Sequence, residues 1–159
     1  MTQEEFRKNV LSGWKFKLFL WAKLPLAALA GIKVRYFDAE RSETQVKLSY
    51  LTKNPFGSIY FAVLSMAAEL STGVLVYYHT QFREQKVSIL VTHLDSEYFK
   101  KARARIKFKS SVPKELLQAE TSLNEDLKNG FTFVMISEAY DQEDTLVARF
   151  KFTWSLKNR

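Results

Sequence analysis

The apolar positions of this chain follow a helical rhythm at first, turn to alternation near residue 32, and break once for a long apolar run before alternation resumes. Residues 3–12 read as a short helix. Trp14, Lys15, Phe16, Lys17, Leu18, Phe19, Leu20, Trp21, Ala22 and Lys23 read as a basic, aromatic amphipathic helix. Pro25 disfavours helical geometry at Leu24, so a break or a second short helix is expected there. Ile32, Val34 and Tyr36 then alternate with Lys33 and Arg35, and Val46, Leu48 and Tyr50 alternate with Lys47 and Ser49. Period-two alternation marks a half-buried antiparallel strand. The turn-like run 38–42 between the two predicts a hairpin.

The loop Asn54, Pro55, Phe56, Gly57 and Ser58 leads into a helix predicted over 57–75. Strands are expected at 86–94, with Val87, Ile89, Val91 and His93 on one face, and at 101–110. In the latter, Lys101, Arg103, Arg105, Lys107 and Lys109 alternate with Ala102, Ala104, Ile106 and Phe108. A polar segment at 113–127 should hold a short helix after Pro113. The last strands fall at 130–138 and 145–156, the second with Phe150, Phe152, Trp154 and Leu156 facing one way, and 141–144 makes the turn between them. The order is two strands, a long helix, then four strands. No linker, repeat or low-complexity stretch interrupts it, which predicts one domain, 1–159, with an N-terminal helical segment (1–31) and a core at 32–156.

Composition narrows the possibilities. A chain of 159 residues, 47% hydrophobic and 14% aromatic, is long enough to bury a core and too apolar for disorder. It has no cysteine, which removes disulfides, thiolate metal sites and a cysteine nucleophile, and fits a reducing, cytoplasmic setting. The acidic, polar start does not read as a targeting signal. Residues 58–78 are long enough to cross a membrane, but the strands on either side predict a helix enclosed by a sheet. A net charge of +7 points to anionic partners: nucleic acid, anionic lipid or a phosphate-bearing cofactor.

The predicted long helix is apolar almost all round, as buried helices are. Its polar residues are spaced on one stripe: Ser58, Ser65, Glu69 and Thr72 stand seven, four and three apart. An ionised carboxylate is costly to bury unpaired, so Glu69 should face a partner, water or a cleft. The stripe is either the solvent edge of a core helix or the wall of an active site.

The element order and the run 54–62, with the acid seven residues on, resemble the hot-dog-fold thioesterases of the phenylacetate-degradation type. In that family an Asn stands six residues before a His-Gly-Gly that opens the central helix, and a catalytic Asp or Glu follows the second Gly by seven. Asn54, the triplet Tyr60-Phe61-Ala62 and Glu69 fall in register with them. Phe99, Lys100, Lys101 and Ala102 resemble the stretch entering the family's next strand. The triplet departs from His-Gly-Gly at all three positions, and the whole looks like a branch of the superfamily known as a domain of unknown function. The resemblance implies an α+β hot-dog fold, an antiparallel sheet of about six strands wrapped around a long central helix, here with extra N-terminal helices. It also implies an acyl-CoA thioesterase working as a homodimer or a dimer of dimers, since family sites form between subunits.

On that basis Glu69 is the base or nucleophile, the amides of Tyr60, Phe61 and Ala62 the oxyanion donors, and Asn54 the group that positions water or the carbonyl. Asn54 also suits a turn or helix cap. Ser65 and Thr72 either bond Glu69 or bond back to helix carbonyls, and Thr72 fits the second use better. Lys100, Lys101 and Arg103 are candidates for the coenzyme A phosphates, against the plainer use of a basic strand face as solvated edge protection. Coenzyme A enters only as part of the substrate; no separate cofactor is expected. His79 and His93 are too isolated for a metal site or a triad, and His93 reads as a core or interface residue. Phe108 faces away from the basic positions, which argues against nucleic acid. Packing on the domain is the expected use of 14–23, and membrane association is not expected. The alternative to the enzyme is a non-catalytic binder of acyl groups or lipids, which the altered triplet favours and Glu69 with Asn54 oppose.

Overall fold

Thr2 opens the first helix with a reciprocal cap: its hydroxyl accepts from the Glu5 amide, and the Glu5 carboxylate accepts from the Thr2 amide. The computed structural model describes residues 2–83, 86–117, 127 and 130–158. Helix α1 (Gln3–Leu11) buries Phe6 and Val10. Phe6 stacks edge-on against Phe37 at 5.6 Å and lies 5.7 Å from Tyr78, so aromatic contacts pin α1 to the core. Helix α2 (Gly13–Lys23) buries only Phe16 and Leu20. It is therefore not amphipathic as expected, because Trp14, Leu18 and Trp21 are apolar and exposed on another face. The chain breaks at Leu24, and α3 (Pro25–Leu29) starts on the proline, whose missing N–H costs nothing in a first turn.

Six strands form one antiparallel sheet: β1 (Lys33–Phe37), β2 (Arg41–Lys47), β3 (Val87–Tyr98), β4 (Arg105–Ser111), β5 (Phe131–Tyr140) and β6 (Leu146–Asn158). Their order across the sheet is β1-β2-β4-β5-β6-β3. The β1–β2 hairpin is tightened by Asp38, whose carboxylate accepts from the Glu40 and Arg41 amides. Several boundaries differ from expectation, and β3 runs four residues past 94, to Tyr98. β2 lies earlier than 46–50, because its inward residues Ser42 and Thr44 are polar and an apolar pattern does not register them. β4 starts at Arg105; residues 101–104 lie outside it and end in a bend, with the Ala102 and Ala104 carbonyls accepting from the Ile59 and Leu48 amides. The last two strands extend a residue or two past their expected ends, and Phe150, Phe152, Trp154 and Leu156 are all buried.

Helix α4 (Phe61–Thr80) packs on one face of this sheet against β2, β4 and β5, starting four residues later and ending five later than the expected 57–75. Its length and hydropathy would suit a membrane span. Here, though, Val63, Leu64, Ala67, Leu70, Val74 and Leu75 are buried in the core. Ala67, Ala68 and Ser71 let the sheet come close, and β2 takes hold there. Thr44 donates to the Ala67 carbonyl at 2.6 Å, and Ser42 donates to that of Ser71. Ser71 in turn meets Ser137 of β5 at 2.8 Å, so the buried hydroxyls of Ser42, Thr44, Ser71 and Ser137 are all partnered. A helical turn at 114–117 follows Pro113 as expected; the remainder of the segment 113–127 lies outside the described residues apart from Leu127, which is buried.

Candidate active site

Along α4, Ala62, Ser65, Met66, Glu69, Gly73 and Tyr77 form the less buried stripe, as their spacing of three and four residues requires. Glu69 and Ser65 belong to it. Thr72 does not: it is wholly buried and donates back to the Glu69 carbonyl at 2.9 Å. Ser58 is buried in the loop before the helix. Ser65 also bonds backwards, to the Phe61 carbonyl at 3.0 Å, and does not reach Glu69.

The Glu69 carboxyl makes no hydrogen bond or ion pair among the described residues, and burial pushes its pKa above the ordinary carboxylate value. It lies over Gly73, one turn on. A Cβ built at Gly73 would stand 2.9 Å from Glu69 Oε1 and 3.4 Å from the Trp154 ring. The carboxyl thus occupies a notch that only glycine leaves open. Trp154 is buried, and its indole N–H has no partner among the described residues. Sequence reasoning missed Gly73, although a glycine inside an apolar helical run is itself a signal of close packing.

The start of α4 is built differently. Tyr60 is the cap residue, with extended backbone and no side-chain hydrogen bond to the first turn. Its amide donates to the Thr52 carbonyl at 2.8 Å, so it is not an oxyanion donor, contrary to expectation. The amides of Phe61 and Ala62 have no acceptor among the described residues, as the first helical positions leave them. Two donors remain of the three. The Tyr60 and Phe61 rings meet edge to face at 4.9 Å and are both exposed.

Asn54 organises the loop that delivers the helix. Its Oδ1 accepts from the amides of Phe56 and Ser58 at 3.0 and 3.2 Å, and Nδ2 lies 3.1 Å from Ser58 Oγ. This is the turn role foreseen for it. Gly57 in the same loop has φ +72, which favours glycine. The loop and the helix start open onto a cleft of about 500 Å³, walled by Asn54, Tyr60, Phe61, Tyr98, Phe99 and Lys101, with Lys100 beside them. Tyr98 and Phe99, at the end of β3, were not foreseen as site residues. Only the sheet order brings them to the helix mouth.

The cationic candidates separate. Lys100 donates to Asp141 at 2.7 Å, with Glu143 at 4.0 Å, and its pKa is raised chiefly by the Asp141 bond. It is held by the β5–β6 turn and is not a free phosphate ligand. Lys101 and Arg103 are exposed, Lys101 on the cleft and Arg103 outside its lining. His93 is exposed as well, since a bulge between Val91 and His93 turns it off the face expected for it. His79 approaches the Ala39 carbonyl at 2.7 Å, and no group of metal-ligating side chains exists among the described residues.

One chain therefore gathers Asn54, Tyr60, Phe61 and Lys101 at the helix start and leaves Glu69 apart. Eight residues separate Phe61 from Glu69, about 12 Å of helix axis.

A family model described as "Domain of unknown function (DUF4442)" matches residues 12–156. No curated protein matches the sequence. Solved structures do. A Pseudomonas aeruginosa protein of unknown function, described as a probable thioesterase, superposes with a TM-score of 0.77 at 17% identity, over 100% of this chain and 97% of its own. A thioesterase from Haemophilus influenzae gives 0.68 at 12%, over 92% and 91%. A mutant thioesterase from Pseudomonas aeruginosa gives 0.69 at 14%, over 91% and 94%. At such identities the likeness establishes the fold, the hot-dog arrangement of thioesterases.

Proposed function

For a chain that belongs to the DUF4442 family of unknown function and carries a thioesterase-like hot-dog fold, we propose the hydrolysis of an acyl-CoA thioester by a cytoplasmic homodimer. The observation that carries this reading is the Glu69 carboxyl: largely buried beside Gly73, without a hydrogen-bond partner among the described residues, and with its pKa raised by that burial. Glu69 activates water or attacks the thioester carbonyl, and the free amides of Phe61 and Ala62, at the positive end of α4, receive the developing oxyanion. The aromatic cleft holds the acyl-bearing end of the substrate, and Lys101 with Arg103 meets the coenzyme A phosphates.

Two copies complete the site. The base and the amides of one chain lie too far apart to act on one carbonyl, whereas family sites form between subunits. β3 supports such an assembly: among the described residues it pairs with β6 alone, which leaves its other edge without a strand along twelve residues.

Glu69→Gln should lower kcat on the best substrate of an acyl-CoA panel by at least about a hundredfold, the usual weight of a general base, with the fold intact. Turnover that survives the change would remove Glu69 from the mechanism. A second reading, a non-catalytic acyl or lipid binder, draws on Tyr60 and Phe61: the Tyr60 amide is committed to Thr52, and the Phe61 ring stands at the helix mouth where the resembled thioesterases have a glycine. Fatty acids that co-purify with a protein inert toward every acyl-CoA would establish that reading instead.

A further inference from the structure

Helix α2 carries two apolar faces, and the core uses one. Phe16 and Leu20 point inward. Trp14, Leu18 and Trp21, spaced four and three, lie on a stripe roughly opposite and are 66%, 61% and 49% exposed. The adjoining α3 adds Leu26 and Leu29, 69% and 51% exposed. An apolar surface of this kind on a helical edge marks a binding site more often than an accident of sequence.

The charge around it is one-sided. Residues 6–37 contain seven Lys and Arg and no Asp or Glu; elsewhere 17 Lys and Arg face 17 Asp and Glu. The whole net charge of +7 thus resides in this segment. Lys15 and Lys17 flank the apolar stripe, and Lys23 closes the helix. Their long stems can lie along the apolar surface while the ammonium groups reach outward.

We propose that this face of α2 and α3 docks on an anionic lipid surface, with Trp14, Leu18 and Trp21 entering the headgroup layer and Lys15, Lys17 and Lys23 meeting lipid phosphates. The chemistry selects this occupant. A second copy of the chain would bring an equal positive charge onto the same face, and a nucleic acid would leave the leucines uncovered. A bilayer interface satisfies both halves, apolar depth beneath negative charge. Packing on the domain was the expected use of this segment; the exposure of Trp14, Leu18 and Trp21 shows that packing engages only part of it. The inference is independent of what happens at Glu69.

Flotation of the full-length protein with vesicles tests it. Vesicles of phosphatidylcholine containing about one-third phosphatidylglycerol should carry the protein at low salt, and about 0.5 M salt or pure phosphatidylcholine should release it. A blue shift of tryptophan emission should accompany binding, since two of the three tryptophans lie on the face. Replacing Lys15, Lys17 and Lys23 by Gln should weaken binding about fivefold per lysine, and Trp14→Ser with Leu18→Ser should abolish the blue shift. All five positions are exposed, so circular dichroism should show both variants folded. Absence of binding to the anionic vesicles, or binding indifferent to both variants, overturns the proposal. So does a change of oligomeric mass in Trp14→Ser/Leu18→Ser without any vesicle binding, which would give the face to a second copy.

Discussion

Glu69 and Gly73 stand one turn apart on α4, and each explains the other. A Cβ on residue 73 would stand 2.9 Å from Glu69 Oε1, too close for both to keep their places. Gly73→Ala should therefore displace the end of a flexible side chain rather than the backbone. We expect kcat to fall with the displaced carboxyl, while the melting temperature holds or rises because alanine gains up to about 1 kcal/mol in a helix interior. A variant that loses stability and keeps full activity would contradict the notch. The same burial fixes a pH dependence. The folded pKa of Glu69 is raised, so the folded state holds the proton more tightly than the unfolded one. The charged carboxylate is a burden above that raised pKa, and the burden fades as pH falls to the ordinary glutamate value, about 4.3. Glu69→Gln should then melt higher than the wild type at neutral pH, by roughly 2–4 °C for each kcal/mol relieved, and equally below about pH 4. Glu69 was legible in the sequence because a lone acid in an apolar run needs a reason. The commitment of Lys100 was not, since its partner Asp141 is 41 residues away and only folding brings them to 2.7 Å.

The elements were legible where their inward residues are apolar. Phe150, Phe152, Trp154 and Leu156 announce β6, and Pro25 announces the break between α2 and α3. β2 was shifted because Ser42 and Thr44 face the helix as hydrogen-bond donors, and hydroxyls on a buried face look like solvent residues in a pattern. His93 was misplaced because one extra residue at a bulge reverses the alternation, and no residue type marks it. These hydroxyl bonds hold the sheet on the helix. Thr44→Val leaves the volume nearly unchanged and removes the bond to Ala67, so denaturant melts should show a loss of about 1 kcal/mol. Ala67→Leu inserts bulk where the helix and β2 meet, and should cost about 1–3 kcal/mol or prevent folding. A tolerated leucine would mean that the layers are further apart than the 2.6 Å bond of Thr44 implies.

At the scale of the whole molecule, one chain holds the free amides at one end of α4 and the acid two turns along, and the proposed shared site needs a second copy to bring them together. Sedimentation should give about twice the 18.5 kDa of the chain, and hydrolysis should fall away on dilution into monomer. A monomer with full Glu69-dependent turnover would refute the shared site. The fold as a whole was legible from the order of elements, whereas the cleft was not. Tyr98 and Phe99 reach the helix mouth through the sheet order, which periodicity does not encode.

That sheet order also sets a timetable. β3 follows α4 in the chain yet, among the described residues, pairs with β6 alone, Val87 opposite Asn158 and Tyr98 opposite Ala148. During synthesis β3 emerges long before its partner, and until Leu146–Asn158 exists its twelve residues have no strand beside them. Pairings this distant in sequence are slow to close, and an unpaired strand is open to the wrong neighbour meanwhile. The last strand to be made is thus the one that completes the sheet, and the nascent chain depends on protection, or on speed, until it arrives.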